Sequence, residues 1–173
     1  MNFNDYLNSL DGWMKYWSFE KQTIQQGLEV DAMFYRGRIE GTKFGKVDTY
    51  AFIKHVPDNI NAEWARTYSN NLFEYASRVR SGPPLGFGAM LIVYPLLVVE
   101  NISNDLYQWS QKYCPKHFAA SEFPSILSLT TQDLYYYPKT PIWGALYYSD
   151  FRNQSQQCFS PKKWADISAR ARQ

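Results

Sequence analysis

The stretch GFGAMLIVYPLLVVENIS, Gly86 to Ser103, decides the fold. Its middle, Ala89 to Val99, carries no charge and contains one proline, Pro95. A membrane helix needs about 20 mostly apolar residues. Neither flank supplies them: SGPPLGFG lies upstream, and Glu100 and Asn101 follow. A helix would hold Pro95 in its interior at a cost of about 3 kcal/mol. The run is rich in Leu, Ile and Val and lacks polar alternation, the pattern of a strand covered on both faces. A central strand over 89–99 is expected. Proline cannot donate to a ladder, so Pro95 must sit at a bulge or at a break in the pairing.

The neighbouring segments supply the partners. Phe3, Leu7, Leu10, Met14 and Trp17 form one helical stripe, which Gly12 threatens to break. Leu28, Val30, Ala32 and Phe34 alternate with polar residues as in a half-buried strand. GRIEGTKFG reads as a turn and KVDTYAFIKHV as the returning strand of a hairpin. In PDNINAEWARTYSNNLFEYASRVRSGPP, Asn59 or Asn61 can cap a helix with Ala65, Tyr68, Leu72, Ala76 and Val79 on one face. Gly82 and Pro83 end it. SNDLYQWSQKYC suggests a third helix capped by Ser103 or Asn104. The segment from Phe123 to Phe151 reads as two or three strands with a tight turn at Thr131–Asp133. Ser160 and Pro161 then open a last helix.

Strand–helix–strand units imply parallel neighbours with right-handed crossovers, and hairpins add antiparallel ones. The expected fold is α+β or α/β: a mixed sheet of about five or six strands packed by helices, in a single domain over 1–173.

In such sheets ligands bind beyond the carboxyl ends of parallel strands. Lys54 and His55, Glu100 and Asn101, and Thr130 and Thr131 stand at three such ends. A His55–Glu100 pair can hold the imidazole in one tautomer and raise its basicity, as a small hydrolase or transferase requires. Lys54, Asn101, Thr130 and Thr131 would line that rim. The plainer alternative is a strand-end histidine and a solvated helix cap.

Other chemistries find less support. Cys114 and His117 have a zinc-like spacing, with Cys158 and His55 as distant completions, but structural sites usually show two close pairs. No metal or cofactor is expected. The helix–hairpin start invites comparison with restriction-type nucleases, yet no Asp/Glu-x-Lys triplet occurs. Phosphate-binding glycine loops and a Gly-x-Ser-x-Gly elbow are missing too. A net charge of +2 argues against nucleic acid as a partner. Two cysteines make no disulfide framework, and MNFNDYLNSLDGW has neither the basic start nor the apolar stretch of a secretory signal. A cytoplasmic location with reduced thiols is expected, without a transmembrane segment. What stands out is aromatic content: 18%, with 14 tyrosines and 6 tryptophans. These residues bury large area at interfaces. The favoured expectation is therefore a module that binds a protein partner or itself.

Overall fold

The structure is a computed structural model that describes residues 1–41, 45–142 and 147–172. Its elements are α1 (Phe3–Tyr16), β1 (Glu20–Lys21), β2 (Ala32–Glu40), β3 (Gly45–His55), α2 (Ala62–Val79) and β4 (Ala89–Val99). They continue with α3 (Asn104–Lys112), β5 (Ala120–Glu122), β6 (Ser125–Ser128), β7 (Leu134–Tyr136), α4 (Tyr148–Phe159) and α5 (Pro161–Arg170). The strands form one mixed sheet in the order β1-β2-β3-β4-β6-β7, with β5 also on β4. The fold is α+β, as the sequence implies. The sheet has seven strands, because the short pieces β1 and β5 join it. No helix among the described residues is long and apolar enough to cross a membrane.

β4 is the centre. It runs parallel to β3 on one side and to β5 and β6 on the other. Pro95 is tolerated because of how that second side is divided. Leu91 lies opposite Ala120 and Leu96 opposite Ser125, an offset of 29 residues in both pieces. β5 and β6 are thus one lane, interrupted at Phe123–Pro124. Leu91 N–H donates to Ala119, while Val93 and Val99 accept from Phe123 and Leu129. The odd-numbered residues of β4 therefore point their backbone groups at this lane. The donor that Pro95 lacks falls at the interruption. The ladder breaks there without a bulge, and side-chain alternation along β4 is preserved.

Both faces are covered. Ile92, Tyr94, Leu96 and Val98 pack with residues of α1, α4 and α5, including Leu10, Phe159 and Trp164. Leu91 and Val93 pack against Leu72 and Ala76 of α2. Leu97 and Val99 meet Ala65, Leu106 and Trp109 from α2 and α3.

Several local expectations change. α1 continues through Gly12, whose missing Cβ faces open space. β2 starts at Ala32, so Leu28 and Val30 precede the strand. It runs on to Glu40, so the expected turn GRIEGTKFG is strand in its first half, and its tip at 42–44 lies outside the described residues. Asn61 and Ser103 are the caps that form, accepting from Trp64 and Leu106. The tight turn stands at Gln132, in the left-handed region at φ 58°. α4 starts at Tyr148, inside the segment 123–151 read as strands, and 143–146 of that reading lie outside the described residues. Tyr147 makes no side-chain cap bond, and Ser155 interrupts the buried row of Tyr148, Phe151, Cys158 and Phe159. Start signal and stripe were thus both masked.

The geometry gives two expectations. Ile92 and Leu97 are both 1% exposed and face opposite helical layers. Alanine at either position should cost about 2–5 kcal/mol in denaturant melts; a small loss at one would mean its layer does not close over the sheet. The second expectation concerns alkali. Burial raises the phenols of Tyr6 and Tyr94 well above their usual value and pushes the Cys158 thiol up to about 12. Burial, with the Asp48 carboxylate beside it, takes Tyr35 to about 12. These groups stay protonated in the native state while the unfolded chain ionises at about pH 8.5–10. The native state then binds more protons, and stability falls as pH rises through that range. Melts at stepped alkaline pH, with phenolate absorbance followed in parallel, should show unfolding and ionisation of the buried tyrosines, Tyr6 and Tyr94 among them, together. Ionisation of these tyrosines in a still-folded protein would contradict it.

Candidate functional site

The carboxyl ends of the parallel strands do bring His55 and Glu100 together. Nε2 of His55 lies 3.7 Å from Oε1 of Glu100, both side chains more than one-third exposed. The imidazole stacks on Phe3 at 4.5 Å, which explains it as packing between β3 and the start of α1. The other rim residues have separate structural partners. Lys54 approaches Asp31 at 3.8 Å, and the N–H of Asn101 donates to Asp58. Thr130 N–H donates to the Glu100 carbonyl, and Thr131 Oγ1 accepts from Asp133 N–H in the turn. The groove described below opens elsewhere.

The zinc quartet does not assemble: among the described residues no group of three or more His, Cys, Asp or Glu is placed to hold a metal. Cys158 is buried in the α4 layer, and Cys114 donates its S–H to the Tyr148 hydroxyl at 3.1 Å. His117 goes to Glu122 instead, Nε2 to Oε2 at 3.1 Å, with its ring stacked on Phe73.

Glu122 is a site residue that the sequence reading missed. It is 1% exposed, on β5. Oε1 accepts from Ser69 of α2 and from the Tyr113 hydroxyl at 3.0 Å. A buried carboxylate needs such donors. The carboxylate stands between the hydroxyl and the imidazole. Ser69 therefore meets the carboxylate and not the imidazole, and the order differs from that of a hydroxyl–imidazole–carboxylate triad. The cluster ties α2, the end of α3 and the 117 loop to β5. A sequence signal existed: Ser69 lies on the buried face of α2, where an apolar stripe alone was read.

The third feature is a sheet edge. β1 pairs with β2 only at Phe34 and Tyr35. Met33 accepts from Gln22 on that side, so by alternation the backbone groups of Gly37 and Ile39 point outward too. Among the described residues no strand pairs with them. A groove of about 550 Å³ runs along this edge, lined by Ser18, Glu20, Tyr35, Arg36, Arg38 and Lys46, among others. Gly37 shapes it: a Cβ there would collide with the Tyr35 ring, which crosses the strand to bond Asp48 at 2.7 Å. Arg36 is 7% exposed and lies over the Phe19 ring at 4.3 Å. Both Arg36 and Arg38 donate to the Trp17 carbonyl, at 3.1 and 3.3 Å. That carbonyl is the C-cap of α1, where the helix dipole favours cations. Burial, and then the Arg38 charge, push the Arg36 guanidinium below its ordinary value.

Compared with protein families, with curated proteins and with solved structures, the chain finds no match in any of the three.

The two carboxylates separate by mutation. Glu122→Ala should cost about 3–5 kcal/mol, because it removes a buried carboxylate that holds the buried Ser69 and the half-buried Tyr113 and His117. Glu100→Ala should change stability by less than about 1 kcal/mol, as an exposed pair does. Urea melts check both; near-equal losses would show that Glu122 does not hold the α2 face.

Proposed function

We propose that this protein is a protein-binding module that takes an extended segment of a partner onto the outer edge of β2. The observation that carries the reading is the backbone of Gly37 and Ile39 beside the groove, with which no strand among the described residues pairs. An exposed edge offers a row of N–H and C=O groups as a template for a further strand. Strand addition gains affinity from main-chain bonds and specificity from side-chain pockets. The surroundings suit a partner. Ile39 is 88% exposed, and Tyr16, at the end of α1 just before Ser18, is 64% exposed. On the loop that carries Pro83 into the groove, Phe87 is 77% exposed.

A second reading, a small hydrolase or transferase working from His55 and Glu100, draws on their 3.7 Å approach. The stacking of His55 on Phe3 leaves it the weaker one.

Proline at position 39 tests the edge. Its lost N–H is one that the sheet does not use, and edge strands accept proline. Ile39→Pro should therefore fold and melt near the parent. Peptides selected on the parent from a displayed random library should bind it at least about tenfold more weakly, about 1.4 kcal/mol. They should bind His55→Ala normally. A library that yields no binders, or binders indifferent to Ile39→Pro, would overturn the proposal.

A further inference from the structure

We infer that the segment taken up by β2 is acidic, with carboxylates at alternate positions received by Arg36 and Arg38; this rests on the strand-addition reading above. Arg36 and Arg38 are two residues apart on β2, so their side chains leave the same face of the sheet. Neither forms an ion pair among the described residues, although Lys46, on the same groove, pairs with Asp48 at 2.9 Å. The two guanidiniums share the single Trp17 carbonyl, and Gln154 lies between Arg36 and Tyr94. Each guanidinium carries five N–H donors and so has capacity left over. A nearly buried cation without a carboxylate beside it is costly, and an incoming carboxylate removes part of that cost.

The geometry of an added strand brings such a group within reach. The β1 register carries Phe19 opposite Arg36, so an added strand places a side chain directly opposite Arg38, with Cβ atoms about 4.5–5.5 Å apart, and reaches Arg36 on the diagonal; opposite charges there attract. Guanidinium–carboxylate bonds are charge-assisted and often bidentate. A basic strand would be repelled. A second copy of this chain would bring two more arginines against this pair, where Glu20 on the groove and Glu40 on β2 are the nearby acids. The same arginines that discourage indiscriminate edge pairing thus select an acidic partner.

Selection from the same displayed library tests the inference, read on the parent, Arg38→Gln and Arg38→Glu. Among the described residues Arg38 makes one hydrogen bond, at an exposed position, so both variants should melt like the parent. Peptides enriched on the parent should carry Asp or Glu at alternate positions. They should lose about tenfold or more on Arg38→Gln, and on replacement of their own glutamates by glutamine. Affinity should fall as salt rises. On Arg38→Glu, selection should turn toward basic peptides. Binders that are neutral or basic, yet lost on Ile39→Pro, overturn the acidic preference and leave strand addition standing. A concentration-dependent dimer of the parent, abolished by Ile39→Pro, assigns the edge to a second copy and also overturns it. An empty selection removes both readings.

Discussion

β4 is hydrogen-bonded along both edges and covered on both faces, and the remaining architecture follows from that constraint. A strand so enclosed has no room for polar side chains, and Leu91 to Val99 are all buried. It also leaves little tolerance for a proline. The chain meets this by dividing the lane beside β4 into β5 and β6, with Phe123–Pro124 opposite Tyr94–Pro95. The interruption lets the even residues of β4 keep facing α1, α4 and α5 and the odd ones α2 and α3. A bulge would have exchanged those faces halfway along.

Two buried carboxylates fasten α2 over this sheet. Asp48 on β3 receives Lys46 at 2.9 Å, Arg80 beyond the end of α2 at 3.3 Å, and the Tyr35 hydroxyl. Glu122 on β5 receives Ser69 from the helix itself. Both are 1% exposed. Each draws donors from elements far apart in sequence. Apolar packing alone is non-directional; these bonds fix the position of the helix along the strands. Both acids are closed off from solvent in that role, which is why they are weaker functional candidates than the exposed edge.

The edges of the sheet are managed unequally. β7 is three residues long and limits its own edge by shortness. β1 is shorter still and leaves the far half of β2 uncovered. There the protection is charge, Arg36 and Arg38, anchored on the C-terminus of α1. That anchor is a carbonyl and not a carboxylate, so it does not neutralise either guanidinium.

The sequence by itself determined the element types wherever periodicity and caps agreed. The 89–99 strand, α2 with a cap at Asn59 or Asn61, and α5 from Ser160 and Pro161 were all legible, because local stereochemistry sets them. It also placed His55 and Glu100 at neighbouring strand ends. It missed α4, whose start has no side-chain cap and whose buried face contains a serine. Tertiary structure alone decided which polar groups meet. Ser69 with Glu122, Tyr35 with Asp48, and Arg36 with Trp17 join residues 13 to 53 positions apart, and no local pattern encodes such pairs. The open edge of β2 is likewise a property of the assembled sheet. It exists because β1 ends after two residues, and strand length is set by where the chain turns away, at Ser18 with its φ of 63°, and not by the composition of β2.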